Sequence, residues 1–458
     1  MTQQTHTLDQ ALAIAVQHHQ RGDLPKAAAI YNQLLRLAPN NSVLLHNLGE
    51  IACRTRKYAP AMELLQRAVA LEPNNPNYLN TYSVALLSLG HTDQAYEICR
   101  RAISLNPNVS NVHSNLGICY ADRGDLPASV ASFERSIRLD PNNACAHDGL
   151  GLSLLMSGDL QRGWQEQEWR WNKYDFAPRR YTDARHWKGE DIAGKTLFLY
   201  VEQGFGDVVQ FCRYVPLLAE RGAKVLLETP PELVGLLKTL DGVAEFVPGA
   251  QKPPPFDFAC PLMSVPLWFG TTLATIPAKV PYLSPDPRQR EAWRPLFASD
   301  GGLKVGIAWA GRPTHANDKN RSTALANFAP LGDVPGVSLY SLQVGPQTAE
   351  LANAPLGMRI VDLSSRLTSF DATAAVIAEL DLVIAVDTVV IHLAGAFAKP
   401  VWSLLAFCPD WRWMMNRTDT PWYPTMRLFR LPRKGDWAAA FAQVKAALAK
   451  EVEGRTRR

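Results

Sequence analysis

Small and apolar residues in the first third of the chain recur with a period of 34 residues. The sequence Leu-x-Pro-Asn occurs in phase with its prolines at Pro39, Pro73, Pro107 and Pro141. Leu-Gly pairs such as Leu48-Gly49 recur with the same period. So do single glycines and, five residues after them in phase, alanines: Gly22, Gly90, Gly124 and Gly158, and Ala27, Ala61 and Ala95. Small residues let helices approach, glycine permits a tight turn and proline ends a helix, so the pattern predicts a series of helical hairpins.

These residues resemble the tetratricopeptide repeat, and we assign residues 1–163 to four full repeats and a degenerate fifth. Such arrays stack into a solenoid with a concave groove, which predicts either a site for an extended peptide or partner protein, or a scaffold that forms a homodimer through its repeats. In repeat arrays attached to sugar-transferring enzymes, groove asparagines grip the substrate backbone. Asn47 and Asn115 occupy the matching position, but Thr81 and Gly149 replace asparagine in the other units.

The periodic pattern ends near Trp164, and residues 164–194 form an aromatic, arginine-rich segment. We interpret it as a packed connector whose aromatic residues hold domains together, with a ligand-binding surface as the alternative.

Beyond residue 195 short β-branched runs alternate with helical segments, a pattern typical of parallel sheets with crossover helices. It predicts two doubly wound α/β halves, residues 195–290 and 291–458. The predicted strands are 196–201, 224–228, 244–247, 256–260, 304–309, 338–342, 359–362, 382–386 and 401–405, and the predicted helices are 207–221, 231–240, 291–297, 372–379, 388–398 and 437–450.

Composition excludes several classes of protein. The chain has 458 residues, and its 47 Lys and Arg against 43 Asp and Glu, without long basic runs, favour neither nucleic acid nor an anionic membrane as a partner. The first residues do not resemble a signal peptide, and no apolar run is long enough for a membrane span, so we expect a cytoplasmic protein. Seven scattered cysteines without a CxxC pair argue against a disulfide framework or structural zinc.

A short glycine-containing loop joins the first predicted strand to a helix. Gly204 and Gly206 would let the backbone come close to a ligand at the helix N-terminus, but the three-glycine dinucleotide motif is absent. Asp207 either caps this helix or, at the carboxyl edge of the sheet, accepts the proton of an attacking hydroxyl.

Two segments of the second half also follow strands. The loop at residues 310–322 concentrates cations, of which Lys319 and Arg321 could neutralise a diphosphate; a solvated loop is the alternative. Asp387 and Thr388 follow a very hydrophobic strand at the start of a helix, where Thr388 and backbone N–H groups could bind phosphate. His392 lies about one turn later and could reach the same site, although a lone histidine is more often simply packed.

The GxGD loop and the DT…HLAGA sequence resemble the heptosyltransferase-type glycosyltransferases, which have the GT-B fold of two facing Rossmann-like domains. The longer sequences EQGFGDVVQFCRYVPLL, DTVVIHLAGAFAKPVW and DWRWMMNR…PWYP resemble a bacterial group that joins this module to tetratricopeptide repeats and includes proteins implicated in flagellin glycosylation. The architecture is also similar to that of O-linked N-acetylglucosamine transferases.

This resemblance implies roles for individual residues. It makes residues 195–290 the acceptor side and 291–458 the donor side, Asp207 the base, Lys319 or Arg321 the diphosphate contact, and Asp387, Thr388 and His392 the donor site. Gln343, at the end of a strand, is a further candidate for donor contact. Val389 stands where the family usually has glycine.

The resemblance and the absence of an Asp-x-Asp sequence together predict a metal-independent, inverting glycosyltransferase that needs no cofactor besides its nucleotide-sugar substrate. The expected acceptor is a Ser or Thr hydroxyl of a protein, such as a flagellin-like one, held in the repeat groove. Two alternatives stay open: an inactive repeat scaffold with a vestigial transferase domain, favoured by Val389, and a transferase acting on a lipid or oligosaccharide.

Overall fold

The computed structural model describes residues 2–173, 176–249, 251–315 and 317–456. The chain divides into two compact units, one reaching Leu154 and also taking in Asn172, and the other built from residues after Leu154. Within the described residues no helix is both long enough and apolar enough to cross a bilayer.

The first unit is a solenoid of helical hairpins, as the 34-residue period predicts. Its helices are α1 (Thr2–Gln20), α2 (Leu24–Leu37), α3 (Ser42–Arg54), α4 (Tyr58–Leu71), α5 (Pro76–Leu89), α6 (Thr92–Leu105), α7 (Ser110–Asp122), α8 (Leu126–Leu139) and most of α9 (Ala144–Ser157). The next helix along the chain, α10 (Leu160–Gln167), belongs to the second unit. The repeat prolines lie directly after the second helix of each hairpin, where they do not interrupt the helical hydrogen bonds.

Small residues set the distance between the helices of a hairpin. Gly49 packs against Leu65 and Gly117 against Phe133, so closely that a Cβ at these positions would lie 2.5 Å and 2.9 Å from the partner side chain. Each pair joins the two helices of one repeat, which explains why the Leu-Gly pairs recur in phase.

The turn inside each hairpin requires a left-handed residue. Gly22, Gly90, Gly124 and Gly158 have φ between 78° and 94°, and the corresponding residue of the second repeat is Arg56, with φ 58°. The left-handed region is unfavourable for a residue with a Cβ, so the second turn carries strain that the others avoid.

Arginines spaced 34 residues apart connect each repeat to the one before it. Arg67 donates to the carbonyl of Pro39 at 2.7 Å. Arg101 and Arg135 donate to the side chains of Asn74 and Asn108 at 3.3 Å and 3.0 Å. The second helix of one hairpin therefore holds the Pro-Asn turn of the preceding hairpin; we call this series the arginine ladder.

The first sheet of the second unit is parallel, with strand order β3-β2-β1-β4. Its strands are β1 (Thr196–Tyr200), β2 (Lys224–Thr229), β3 (Val243–Pro248) and β4 (Phe258–Pro261), and the helices of this half are α11 (Phe205–Phe211), α12 (Val215–Glu220), α13 (Val234–Leu237) and α14 (Val265–Trp268). The prediction of one helix over 207–221 is wrong, because a 3-10 turn at Cys212–Tyr214 separates α11 from α12. Pro216 lies at the start of α12, where its missing N–H is tolerated. The helix predicted over 231–240 is likewise shorter.

The second sheet is parallel with order β10-β9-β8-β5-β6-β7. Its strands are β5 (Leu303–Ala308), β6 (Val337–Ser341), β7 (Ile360–Asp362), β8 (Leu382–Val386), β9 (Val401–Leu405) and β10 (Met426–Arg430), and the helices of this half are α15 (Pro287–Ala298), α16 (Asp318–Arg321), α17 (Ala329–Gly332), α18 (Phe370–Glu379), α19 (Val389–Ala396) and α20 (Trp437–Thr456). Strand β10 was not predicted, since its two arginines interrupt the apolar run that marks a buried parallel strand.

Residues of the predicted connector pack within the second unit. Trp164 is buried with its ring edge-on to Trp411 at 5.2 Å, and its Nε1 donates to the carbonyl of Thr271. Arg170 is buried and donates to Glu202 at 2.9 Å and to Glu168 at 2.8 Å. Burial, opposed by Arg170, raises the pKa of Glu202 to about 7. The contact between Arg170 and Glu202 holds the segment against the loop that follows β1.

Candidate active site

Asp207 lies on the first turn of α11, the helix that follows the carboxyl end of β1 after a short loop. Its Oδ2 accepts the N–H of Gly204 at 2.9 Å, so it caps the helix. Its side chain is 19% exposed. Burial raises the pKa of Asp207 above its ordinary value, while Arg412 opposes that rise. A carboxylate with a raised pKa is a stronger base than an ordinary aspartate. Asp207 can therefore both cap the helix and accept a proton.

The two glycines of this loop have different surroundings. Among the described residues, a Cβ on Gly204 would meet only Asp207, at 3.5 Å, whereas a Cβ on Gly206 would lie 3.0 Å from Cδ2 of His392. Gly206 therefore permits α11 of the first half to approach α19 of the second half. The proposed ligand approach at both glycines stays a prediction.

The N-terminus of α19 follows β8, as the sequence predicts. Thr388 is its N-cap residue and is 8% exposed, and its Oγ1 has no hydrogen-bond partner among the described residues. A buried hydroxyl without a partner is unfavourable in the free protein. It lies beside the unpaired N–H groups of the helix start, a combination suited to an anionic oxygen.

Asp387 precedes this N-cap. Its Oδ2 accepts the indole N–H of Trp413 at 2.9 Å. Burial, together with the nearby charge of Asp410, raises the pKa of Asp387 to about 6. Asp387 is therefore fixed beside the N-terminus of α19 by the segment around Trp413.

His392 is buried one turn into α19. Its Nδ1 shares a hydrogen bond with the hydroxyl of Tyr423 at 2.9 Å. Burial, reinforced by Arg412 and Arg213, lowers the pKa of His392 well below its ordinary value, so the ring is neutral at physiological pH. A neutral imidazole can donate a hydrogen bond to a ligand without adding a charge to it.

The cationic loop contributes Arg321 directly to this cluster. Its Nη1 donates to the backbone carbonyl of Asp387 at 3.0 Å, and Gly311 leaves room for the guanidinium. Lys319 lies on the same short helix, α16, and is exposed. The structure thus brings Arg321 to the N-terminal end of α19, and Lys319 lies two residues away along the chain.

Gln343 is buried at the end of β6 and bonds to backbone groups. Its Oε1 accepts the N–H groups of Trp309 and Ala310 at 3.0 Å, and its Nε2 donates to the carbonyls of Ala310 and Val344. It therefore fixes the start of the cationic loop after β5. Its predicted contact with the donor stays a prediction.

Sequence reasoning missed Arg412, which belongs to the segment Asp410–Trp413. Arg412 donates from Nη2 to Asp207, from Nη1 to Asp410 at 2.8 Å and from Nε to Gln210 at 2.5 Å. The sequence DWRW had indicated only a family resemblance, and its arginine is 205 positions from Asp207, so no local pattern could reveal this contact.

Arg213 was missed as well. Its guanidinium is buried between the rings of Tyr282 and Tyr423, 4.7 Å and 4.6 Å from their centroids, and donates to the carbonyl of Trp422 at 2.6 Å. The sequence PWYP therefore supplies both the partner of His392 and a contact for a cation of the first half.

The described residues include no cluster of three or more His, Cys, Asp or Glu side chains arranged to hold a metal ion. Metal independence stays a prediction.

The two asparagines at the groove position, Asn47 and Asn115, contact other residues of the repeats. Asn115 is buried and its amide donates to Asn80 at 3.1 Å and to Ser83 at 3.0 Å. Asn47 contacts the ring of His46 at 3.4 Å. The Asn115 amide therefore stabilises the packing of neighbouring repeats.

Comparison with known families agrees with this architecture. Residues 342–431 match glycosyltransferase family 9 (heptosyltransferase), a stretch that includes Gln343, Asp387, Thr388, His392 and Arg412. Residues 18–83, 76–109 and 110–143 each match the tetratricopeptide repeat. The chain thus carries tetratricopeptide repeats in its N-terminal part and a glycosyltransferase family 9 domain towards its C-terminus.

The chain is 29% identical over 313 residues to protein FlbA of Caulobacter vibrioides, a match covering 62% of this chain and 52% of the relative. It therefore spans about half the length of that curated relative. Among solved structures, MamA from Desulfovibrio magneticus RS-1 is 18% identical, covering 35% of this chain and 90% of that one, with a TM-score of 0.31. A thermophilic TPR protein of Thermus thermophilus is 20% identical, covering 36% and 91%, with a TM-score of 0.33.

Proposed function

We propose that this chain is a glycosyltransferase that moves a sugar from a nucleotide-sugar donor to a Ser or Thr hydroxyl of a protein, without a metal ion and with inversion at the anomeric carbon. The observation that supports this most is a convergence of residues from the two halves. Asp207 on α11 meets Arg412 of the second half, and Gly206 beside it packs on His392 of α19. A candidate base and a candidate anion site thus lie on neighbouring helices.

The N-terminus of α19 suits the phosphate groups of the donor. Thr388 offers a buried hydroxyl without a partner among the described residues, Arg321 lies at the same end of the helix, and His392 is a neutral donor one turn away. Positive dipole character and a guanidinium would stabilise the charge that develops on the departing phosphate.

Asp207 would act at the acceptor. The hydroxyl oxygen forms a bond to the anomeric carbon while the bond from that carbon to the phosphate oxygen breaks, its electron pair remaining on that oxygen. The hydroxyl proton moves to the Asp207 carboxylate. Attack on the face opposite the leaving group inverts the anomeric centre, and positioned proton transfer of this kind contributes a rate enhancement of about 10²–10⁴.

The repeats suggest the class of acceptor. Tetratricopeptide arrays present an extended surface suited to a polypeptide, which favours a protein acceptor, such as a flagellin-like one, over a lipid or oligosaccharide. We place this enzyme in the cytoplasm, where nucleotide sugars are made.

A repeat scaffold without activity is the second candidate. Val389 occupies the position after Thr388 and is half-buried at the start of α19, where a side chain narrows the approach of a phosphate. This candidate predicts that the second unit binds no nucleotide sugar.

A thermal-shift panel tests the donor site. The protein is heated with UDP, GDP, ADP, dTDP and CMP and with sugars linked to them, with and without EDTA. A ligand that binds only the folded state at 100 times its Kd stabilises it by about 2.7 kcal/mol. A shift with one nucleotide that EDTA leaves unchanged supports the proposal. No shift with any ligand supports the scaffold, and a shift abolished by EDTA contradicts metal independence.

The variant Thr388→Val makes this test specific to α19. Valine has nearly the same shape but lacks the unpartnered hydroxyl, so the free protein should gain about 1 kcal/mol of stability. Loss of a hydrogen bond to phosphate should weaken nucleotide binding about tenfold. Urea denaturation and calorimetric titration measure the two effects. Equal nucleotide affinity in both proteins would show that phosphate does not contact Thr388.

A further inference from the structure

Arg412 connects the two halves of the second unit at the predicted base. It is 8% exposed and lies in a 3-10 turn at Trp411–Trp413, with its guanidinium 4.5 Å from the centroid of the Trp411 ring. All three of its side-chain nitrogens donate: to Asp410 on its own segment, and to Asp207 and Gln210 on α11.

The geometry of α11 explains why one arginine reaches both partners. Asp207 and Gln210 are three residues apart on the helix, so they lie on the same face. Asp410 accepts Nη1 of Arg412 and also its backbone N–H at 3.1 Å. Asp410 therefore orients the Arg412 guanidinium from within the same segment, independently of the contacts with α11.

Both carboxylate oxygens of Asp207 accept hydrogen bonds. Oδ2 accepts the N–H of Gly204, which belongs to the same loop, and Oδ1 accepts Nη2 of Arg412 from the other half. Two contacts from different directions leave the carboxylate one orientation. Without Arg412, rotation about the Cβ–Cγ bond would be restrained only by the capping contact.

We propose that Arg412 is a positioning residue for the transfer reaction, which orients the Asp207 carboxylate from the opposite half of the enzyme. This inference rests on the proposed function. Arg412 acts through Asp207, so the base is complete only where α11 and the segment Asp410–Trp413 meet. A positioned base is worth far more than a mobile one, because reaction requires near-attack geometry.

The charge of Arg412 also has a consequence for pH dependence. The charged and titratable groups near Asp207 are Arg412 and Asp410 on the 410–413 segment, His315 in the loop after β5, and Glu202 after β1. Burial raises the pKa of Asp207 and Arg412 lowers it. Removing the guanidinium takes away the largest of the interactions that lower this pKa, so the base should become protonated at a higher pH.

The test compares the wild-type chain with Arg412→Gln, Arg412→Lys and the control Arg417→Gln. Arg417 lies four residues after Trp413 but pairs with Asp419. Transfer is measured as nucleotide release from the nucleotide sugar that gives the largest thermal shift, with a mixture of Ser- and Thr-containing peptides as acceptor. Rates are recorded from pH 5 to 9, and donor affinity is measured separately by titration.

We expect Arg412→Gln to reduce kcat about 100-fold and to move the acid limb of the pH profile upwards by about 1–3 pH units, the effect of an adjacent opposite charge. Donor affinity should change less than about threefold. Arg412→Lys should recover part of both effects, and Arg417→Gln should match the wild type. A purely structural role would lower the amount of folded enzyme without moving the acid limb.

Three outcomes separate the inference from the proposed function. An active wild type whose acid limb is unaffected by Arg412→Gln overturns the inference alone. If that variant does not fold, Arg412→Lys replaces it, and an undiminished kcat in that protein overturns the inference, because an ammonium group lacks the fork geometry that holds the carboxylate. Loss of donor affinity without a change in kcat also overturns it, because Arg412 would then bind the donor. A wild type that neither binds nor consumes any nucleotide sugar overturns the proposed function and with it the inference.

Discussion

The contact between Gly206 and His392 gives a quantitative test of how the two halves of the second unit meet. An alanine Cβ at position 206 would lie 3.0 Å from Cδ2 and 3.4 Å from Nε2 of the imidazole. Carbon atoms in contact are ordinarily about 3.5–4.0 Å apart. His392 is 5% exposed, is bonded to Tyr423 and packs against the ring of Trp413, so it has little freedom to withdraw.

We expect Gly206→Ala to destabilise the second unit by about 1 kcal/mol. Overpacking a buried contact costs about 1–3 kcal/mol. Residue 206 is helical, however, and replacing glycine by alanine inside a helix stabilises by about 1 kcal/mol, which offsets part of that cost. The free energy of unfolding is measured by urea denaturation followed through tryptophan fluorescence.

A second background isolates the contact. In a His392→Ala protein the imidazole is gone, so Gly206→Ala should retain only the helical gain and become stabilising by about 1 kcal/mol. Gly204→Ala is the matched control for stability, because Gly204 has φ −75° and a Cβ there would lie 3.5 Å from Asp207, an ordinary contact distance. If Gly206→Ala changed the free energy of unfolding equally in both backgrounds, the imidazole would not be the obstacle and the described approach of α11 to α19 would be refuted.

Three further predictions concern stability. Arg56→Gly should stabilise the repeat unit by about 1 kcal/mol in urea denaturation because Arg56 has φ 58°, and Gly124→Arg should destabilise it; equal midpoints would contradict the strain. The pKa of Asp387 is raised to about 6 against about 3.9 in an unfolded chain, so the folded state binds this proton more tightly and loses stability as pH rises through that interval. Asp387→Asn should therefore exceed the wild type by about 1–3 kcal/mol at pH 7.5 and match it below pH 4, and a constant difference across pH would disprove the ionisation argument. Trp164→Ala should destabilise the second unit by about 3–5 kcal/mol in the same assay, since the buried ring contacts Trp411; a change below about 1 kcal/mol would mean that the connector does not stabilise it.

Much of the fold could be predicted because its signals are local. The in-phase prolines of the repeats each end a helix, and the β-branched runs at 382–386 and 401–405 match β8 and β9 at both ends. Strand β10 could not be found this way. Arg427 and Arg430 give it the composition of a surface segment, and only its pairing with β9 makes it a strand.

In the candidate site too, residues marked by local sequence patterns could be predicted, and residues defined by distant contacts could not. Asp207, Thr388 and His392 each lie at or within about one turn of the start of a helix that follows a strand, so periodicity and strand ends were enough to place them at sheet edges. Arg412 and Arg213 act through partners distant in the chain, and a buried arginine has no local signature. Gln343 was predicted at the right edge of the sheet, but its bonds to the backbone after β5 depend on the register of β5 with β6.

The arginine ladder bears on how the length of the repeat array can change. Arg101 and Arg135 each reach an asparagine 27 residues earlier, and Arg67 reaches a proline carbonyl 28 residues earlier. Every link thus joins one repeat to its predecessor in nearly the same register. Duplication or deletion of a whole 34-residue unit would preserve each remaining link and leave no arginine without its turn. The array can therefore lengthen or shorten during evolution, altering the span of polypeptide it can accommodate, while the contacts between adjacent repeats stay the same.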